Sequence, residues 1–372
     1  MGFTPEENLR YSRHFVLPGF GKEGQEQLKA GSVLVVGAGG LGSPVLLYLA
    51  AAGVGRIGIA DNDSVNLSNL QRQVLYNTAD VGKRKATAAG GRLRNLNPDI
   101  HTVAIDKKID SSNILDIVKD YDVIVDATDN FPTRYMLNDA AVLSGKPLVY
   151  GSIFRYEGQV SVFNQKGSPN YRDLYPVPPA PGSVPDCEQG GVLGVLAGLI
   201  GCYQANEAIK LLTGKPDTLA GKLLIVDSQT CESTIVTVPN RNAKASIKNL
   251  VDYDEFCGLK KINTASLMKE VTVQELKKMM DEKVDFQLID VREPHEADIA
   301  EIGGELIPQG DIPSNVDKIS RDKKVVIHCR SGARSGNMVQ WLEKNHGFTN
   351  LYNLKGGILA WADQIDPDVP KY

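Results

Sequence analysis

The sequence has no surplus of positive charge. Its 45 Asp and Glu outweigh 41 Lys and Arg, for a formal net charge of -4. A polyanion binder needs a basic excess to neutralise phosphates, so nucleic acid is not expected as a ligand. Long hydrophobic runs are also missing. The most apolar stretches, Leu41–Gly55 and Gly190–Tyr203, contain glycines. Both are shorter than the about 20 residues that a membrane span requires, so each reads as a buried helix and no membrane is expected. The segment Met1–Leu9 carries Glu6 and Glu7 and no apolar core, so no secretory signal is expected there. Cysteine is sparse: five residues, at 187, 202, 231, 257 and 329, an odd number with no C-x-x-C pair. That usage fits a reducing cytoplasm, with each thiol either buried or reactive. Cys202 and Cys231 are expected in the core.

What remains is ordinary for a folded protein: 42% hydrophobic and 23% charged residues, which excludes disorder. A chain of 372 residues suggests two or three domains. The first block, residues 1–245, alternates short apolar runs with helical segments. Ser32–Val36, Arg56–Asp61, Ile100–Ile105, Tyr121–Ala127 and Pro147–Ser152 read as strands of repeated βαβ units. After Gly158 the pattern changes to strands of mixed direction at Gln159–Phe163, Lys222–Asp227 and Ser233–Val238, around an apolar helix, Gly191–Leu212. The fold class is therefore α/β, a Rossmann-like domain with a mixed sheet. Residues 246–272 are polar and read as a linker. Residues 273–372 repeat the alternation on a smaller scale, with strands at Phe286–Val291, Lys324–His328 and Asn350–Tyr352 and helices at Val273–Glu282 and Ser335–Asn345.

Three features of the first block carry chemistry. Val33–Val36 leads into Gly37, Gly39, Gly40 and Gly42, a strand, a glycine turn and a helix start. Such a turn lets backbone approach a phosphate, and the helix start offers free N–H groups. Asp61 closes the next strand, where a carboxylate takes a ribose hydroxyl. Alone, this does not separate a dinucleotide from ATP. The following residues do: Asp63, Asn69, Arg72 and Lys85 add a second acid and cations, and Asp129 ends a later strand. Cations together with a carboxylate suited to Mg²⁺ make a triphosphate site.

The run Arg10-Tyr11-Ser12-Arg13, the glycine turn, Ser68-Asn69-Leu70-Gln71-Arg72-Gln73, Lys85 and Asp126-Ala127-Thr128-Asp129-Asn130 resembles the MoeB/ThiF adenylyltransferases, bacterial relatives of ubiquitin-activating enzymes. The resemblance implies that the C-terminal Gly-Gly carboxylate of a small ubiquitin-like sulfur carrier attacks the α-phosphate of ATP. It assigns the ribose to Asp61, the phosphates to Arg72 and Lys85, and Mg²⁺ to Asp129, with Asn69 in the same cluster. It also makes Arg13 a finger that reaches the partner subunit of a homodimer.

Cys187 stands in Asp186-Cys187-Glu188-Gln189-Gly190-Gly191-Val192-Leu193-Gly194, just ahead of the apolar helix. The helix dipole favours its thiolate while Asp186 and Glu188 oppose it. Family members that carry sulfur place a reactive cysteine in a similar context, so Cys187 is expected to be the second catalytic residue. Many family members hold a zinc with two C-x-x-C pairs. The corresponding places read Asn170-Tyr171-Arg172-Asp173 and Asp254-Glu255-Phe256-Cys257, with three of four thiolates replaced. Structural zinc sites use Cys and His, so no zinc is expected.

In the last block, His328-Cys329-Arg330-Ser331-Gly332-Ala333-Arg334-Ser335 follows an apolar strand and enters a helix. Cys329 to Arg334 would wrap into a nest of N–H groups that holds an anionic sulfur, with Arg334 pinning the loop. This block resembles a rhodanese domain through that loop, Asp290-Val291-Arg292-Glu293 and Gly356-Gly357-Ile358-Leu359-Ala360-Trp361. Four residues between Cys329 and Arg334, rather than the five of a related phosphatase family, favour sulfur over phosphate.

Together the blocks resemble the fused molybdopterin-synthase adenylyltransferase/sulfurtransferase type. The expected product is a thiocarboxylate on a carrier of molybdopterin, thiamine or another sulfur pathway, with persulfide supplied by a donor such as a cysteine desulfurase. Cys329 persulfide would attack the adenylate and Cys187 resolve the acyl-disulfide; nothing in the sequence excludes a Cys187 thioester first. Two rivals are a docking adaptor without catalysis, and an NAD-dependent oxidoreductase. Asp129, Cys187 and Cys329 argue against the first, and Asp63, Arg72 and Lys85 against the second.

Overall fold

The structure is a computed structural model that describes residues 2–179, 191–259 and 269–371. Residues 2–178 and 191–259 form one compact unit and 269–371 a second. In the first, five parallel strands are β1 (Ser32–Val36), β2 (Arg56–Ala60), β3 (His101–Ile105), β4 (Val123–Asp126) and β5 (Leu148–Phe154). Strands β6 (Glu157–Phe163), β7 (Lys222–Asp227) and β8 (Ser233–Thr237) extend the sheet antiparallel. The order is β3-β2-β1-β4-β5-β6-β7-β8. The chain first builds outward from β1 to β3, then crosses back to β4. The C-terminal ends of β1 and β4, where that reversal occurs, are the usual ligand side of such a sheet.

Alternation along β1 explains why both faces are covered. Val33 and Val35 enter one hydrophobic core, and Leu34 and Val36 the other. Each buried side chain of this size contributes about 1.5–3 kcal/mol, and a one-residue slip would exchange the two sets. The described helices of this unit include α1 (Pro5–Arg10), α2 (Ser12–Phe15), α3 (Gly21–Ala30), α4 (Gly42–Ala52), α5 (Lys85–Leu96), α6 (Ile114–Val118), α7 (Phe131–Ser144), α8 (Tyr171–Leu174) and α9 (Gly194–Leu212). The expected apolar helix therefore starts at Gly194 rather than Gly191.

Residues 246–259, expected in the linker, instead pack on this unit. A short helix, α10 (Tyr253–Phe256), follows, and Ile247, Tyr253 and Cys257 are buried. The apolar content of this segment is too thinly spaced for a periodic pattern, yet it caps the core at α7. Cys202 and Cys231 depart from expectation as well, since both are exposed. Cys202 lies on the open side of α9, and Cys231 in the β7–β8 turn at a φ of 61°.

The second unit has a five-stranded parallel sheet. Its strands are β9 (Glu270–Val271), β10 (Phe286–Asp290), β11 (Glu305–Leu306), β12 (Lys324–His328) and β13 (Leu351–Leu354), in the order β11-β10-β12-β13-β9. Strand β9 also falls within the expected linker; two residues give no periodicity to read. Helices α11 (Val273–Asp281), α12 (Pro294–Ala297), α13 (Ala333–His346) and α14 (Gly357–Gln364) cover the sheet. Ile327 faces one core and Val326 the other. No helix among the described residues is long and apolar enough to cross a membrane.

Candidate functional site

The first cradle is built on the β1–α4 turn. Gly37 has a φ of 93°, and a Cβ there would sit 2.4 Å from the Ala127 carbonyl oxygen; at Gly42 it would sit 2.0 Å from that of Gly37. Packing therefore forces these two glycines. At Gly39 a Cβ would meet only Gln73 Nε2, at 3.5 Å. Protein packing leaves Gly39 open, which is what close approach of a phosphate needs.

Asp61 closes β2 beside this turn. One carboxylate oxygen accepts from Ala38 N–H and the other from Asp63 N–H, both at 2.8 Å. Lys85 opens α5, is 6% exposed, and reaches the exposed Asp63 at 3.0 Å. Its ammonium is thus held at the cradle by a partner that stays in solvent. Arg72 Nη1 bonds the Ser68 carbonyl at 3.2 Å, and its stem lies 3.5 Å from where a Gly40 Cβ would stand. Asn69 Oδ1 accepts from Asn66 N–H at 3.1 Å and closes a short turn. Asp129 is exposed past the end of β4.

Several residues without an expected role support the cradle. Tyr76 donates to the Ala38 carbonyl at 2.9 Å. Gln73 is 4% exposed, and its Oε1 is buried without a partner among the described residues. Arg134 and Asp126 form a buried pair under the Asp129 loop. The guanidinium reaches Asp126 Oδ2 at 3.3 Å and the Thr128 carbonyl at 2.9 Å, while Thr128 donates twice to Asp126. Burial works against the Arg134 charge, but Tyr150 and Asp126 beside it outweigh that and keep it protonated. Such pairs join residues eight apart on a strand end and a helix, and no local sequence pattern announces them.

Arg13 is exposed on α2 and is not brought to this cradle. Next to it, the Tyr11 hydroxyl accepts from Asn97 Nδ2 at 2.9 Å, and Asn97 stands just past α5. Gln25 donates to the Ala52 carbonyl at the end of α4 at 2.8 Å. The glycine turn adjoins the opposite end of α4, a helix about 16 Å long at 1.5 Å per residue. Cys187 lies outside the described residues.

At the places that correspond to the family's zinc ligands, Arg172 makes a bidentate pair with Asp139 at 2.7 and 2.8 Å, and the Tyr253 hydroxyl donates to Asp139 Oδ2 at 2.7 Å. The Arg172 guanidinium also stacks 4.4 Å from the Phe256 ring centre. Asp173 Oδ1 accepts from the Arg241 and Ala243 N–H groups. Cys257 is 5% exposed, and burial followed by Asp254 pushes its thiol up to about 11. These donors already satisfy one another, so the residues present do not fit a zinc ion.

The second cradle closes β12. Cys329 is fully buried, and its Sγ accepts from Gly332 N–H at 3.2 Å and lies 3.3 Å from Ser335 Oγ. Gly332, at a φ of 89°, turns the loop into α13. The first N–H groups of α14 are satisfied by the loop itself: Ile358 donates to Cys329 and Leu359 to Arg330. Arg334 makes two 2.6 Å bonds to Glu296 on α12. Burial works to raise the Glu296 carboxyl, yet its bonds to Arg334 hold it down to about 2. Glu296 appears in the sequence only as the tail of a motif, because its partner lies 38 residues away. His328 is fully buried, and burial pushes its imidazole down to about 4 against the pull of Asp290.

Comparison with known proteins agrees with both halves. Residues 11–247 match the ThiF family and residues 272–364 the Rhodanese-like domain. A Mycobacterium tuberculosis protein named "Probable adenylyltransferase/sulfurtransferase MoeZ" is 46% identical over 376 residues, covering 99% of this chain and 96% of that one. "Adenylyltransferase and sulfurtransferase MOCS3" of Aedes aegypti is 40% identical, covering 98% and 89%. "Sulfur carrier protein adenylyltransferase" of Thermus thermophilus is 50% identical over 70% of this chain and all of its own length. Among solved structures, E. coli MccB aligns with a TM-score of 0.57 at 23% identity, covering 64% of this chain and 72% of that one, which supports the fold. The chain belongs to the ThiF family, and within it to the group that carries a C-terminal rhodanese-like domain.

Proposed function

We propose that this chain is an adenylyltransferase and sulfurtransferase that converts the C-terminal carboxylate of a small sulfur carrier protein into a thiocarboxylate. The reading rests on the relatives' shared activity and on one observation above all: a chain with an open, cation-lined glycine cradle also holds a cysteine sulfur in a nest of donors.

The carrier carboxylate attacks the α-phosphorus of ATP, an acyl-adenylate forms and pyrophosphate leaves. An anion attacking a polyanion needs neutralisation and alignment more than a base. Arg72 and Lys85 neutralise the phosphates, Asp61 takes the ribose, and the turn from Gly37 to Gly42 lets the phosphates approach. Asn69 orders the turn that carries Arg72. Asp129 is the residue suited to Mg²⁺, an ion that would supply further positive charge to the triphosphate. Arg13, at the far end of α4 from its own cradle, serves the cradle of a second copy in a homodimer.

In the second stage the outer sulfur of a Cys329 persulfide attacks the acyl carbon and AMP leaves. Cys187 thiolate then attacks Cys329 Sγ. The thiocarboxylate departs, and the two cysteines are left as a disulfide that a thiol reductant reopens. The persulfide comes from a sulfane-sulfur donor of the cysteine desulfurase class. A reducing cytoplasm suits this chemistry, and no zinc is needed for it.

The test is pyrophosphate exchange with each Gly-Gly-terminated carrier of the same cell, followed by the carrier's mass. Exchange with one carrier and replacement of one oxygen by sulfur are expected. Absence of exchange with every carrier overturns the reading.

A further inference from the structure

Ser335 poses a proton-counting problem. Its Oγ lies 2.6 Å from Asn353 Oδ1 and 3.3 Å from Cys329 Sγ, so the geometry suits donation to either. A hydroxyl has one proton and cannot donate to both. All three side chains are enclosed: Ser335 and Cys329 are fully buried and Asn353 is 3% exposed. Little water therefore reaches the cluster. Among the described residues nothing holds Asn353 Nδ2, so the amide is not locked in one orientation.

We propose that Ser335 and Asn353 form a two-position proton relay that follows the charge on Cys329. When the sulfur is a thiol, its S–H donates to Ser335 Oγ and the hydroxyl donates to Asn353 Oδ1. When the sulfur is an anion, the hydroxyl turns and donates to it beside Gly332 N–H. Asn353 Oδ1 would then face a Ser335 lone pair at 2.6 Å, so the amide turns over and Nδ2 donates to Oγ. No covalent bond changes in this relay. Ser335 contacts the reacting sulfur; Asn353 is a positioning residue that acts through it.

The charged groups nearby do not substitute for this donor. From the loop itself come Arg330 and Arg334, the latter closed by Glu296 on α12. Arg292 and Asp290 at the end of β10 pair with each other at 2.5 Å. His328 on β12 is neutral at pH 7 because burial holds it down to about 4. Lys355, ahead of α14, lies 3.9 Å from Glu270.

The relay rests on the sulfur-transfer reading for its purpose, but its test does not. The pH profile of Cys329 alkylation by iodoacetamide is measured on the full chain, with the other four cysteines replaced by serine. Thiolate is the reactive form. Removing one hydrogen bond to an anionic group should lower reactivity at pH 7 about tenfold. Ser335→Ala is expected to move the profile to higher pH by that factor, and Ser335→Thr to restore it. Asn353→Asp, nearly isosteric and only an acceptor, should hold the hydroxyl proton away from sulfur and lower reactivity at least as much. Both tryptophans, Trp341 and Trp361, lie in the second unit, so their fluorescence reports its fold alone. If Ser335→Ala loses that signal, Asn353→Asp carries the test. Profiles of natively fluorescent variants that overlay the parent overturn the relay. A chain that shows these shifts but never takes up sulfane sulfur keeps the relay and loses the reading under Proposed function.

Discussion

The two cradles sit at the same kind of place, the C-terminal end of a central parallel strand, yet they treat charge in opposite ways. At the first, Asp129 is exposed, no acid pairs with Arg72 among the described residues, and Lys85 is held only by the exposed Asp63. At the second, the sulfur is fully buried and Arg334 is already closed by Glu296. The difference follows from where the anion comes from. A triphosphate, the ligand proposed for the first cradle, arrives from solution, so Arg72 stays without an acid partner and Lys85 has only one that solvent can reach. A sulfur anion is part of the chain, so its donors can be complete before any ligand binds.

The sharpest way to break this contrast is to remove one charge from each cradle. Asp129→Ala should depress pyrophosphate exchange by about 10²–10³ while leaving Cys329 alkylation untouched. Cys329→Ala should leave exchange unchanged and abolish sulfur gain by the carrier. Normal thiocarboxylate yield without Cys329 would remove the second cradle from the mechanism.

The next effect concerns stability under the first cradle. Arg134→Met strands Asp126, which is fully buried. Breaking a buried pair from one side costs about 3–5 kcal/mol, so calorimetry should show the first unit melting much earlier. Lys83→Ala, which removes an exposed pair with Asp80, should change little. An Arg134 variant that melts normally would show that the Asp129 loop has another support.

Much of this was legible beforehand, and the reasons are local. Strands β1, β7 and β12 coincide with the sequence reading because their apolar runs are bounded by polar or glycine residues. The glycine turn, Asp61 and the Cys329 loop are each contiguous or nearly so. What escaped is what joins distant residues: Arg134 with Asp126, Arg334 with Glu296, Arg172 with Asp139 and Tyr253, and Ser335 with Asn353. Ion pairs and hydrogen bonds have no sequence period. The boundary at 246–259 escaped for a related reason, since a four-residue helix gives no amphipathic pattern to read. Arg13 is visible as a residue, but its position relative to α4 is a property of the packed N-terminal helices.

A smaller effect sharpens the second cradle. The Glu296 carboxyl is held down from 4.5 to about 2. A depressed carboxyl contributes its stability above the unfolded value and loses it as pH falls through the folded one. The Arg334–Glu296 pair, worth about 2 kcal/mol in a partly buried bidentate geometry, should therefore be fully present at pH 6 and fade between about pH 4.5 and 2. Tryptophan fluorescence follows this in the second unit alone. Glu296→Gln should flatten that part of the acid profile, and an unchanged slope would mean that the pair is not closed in solution.

The smallest effect tests a third place, where ionic and hydrogen-bonded contacts stand in the position of the family's zinc ligands. Tyr253→Phe removes the hydroxyl that Asp139 accepts at 2.7 Å. Because Arg172 still holds both Asp139 oxygens, the loss should be about 1 kcal/mol, read as a lower melting temperature of the first unit. A chelator should leave the melting temperature of the parent chain unchanged, since Asp139, Arg172 and Tyr253 need no ion to be satisfied. The two measurements belong together. A chelator-sensitive chain that tolerates Tyr253→Phe would place a metal among residues that here bond one another. A chelator-resistant chain weakened by the substitution would mean that an organic clasp ties α7, α8 and α10 together, in the same pre-closed manner as Arg334 and Glu296 and unlike Arg72, which has no acid partner among the described residues.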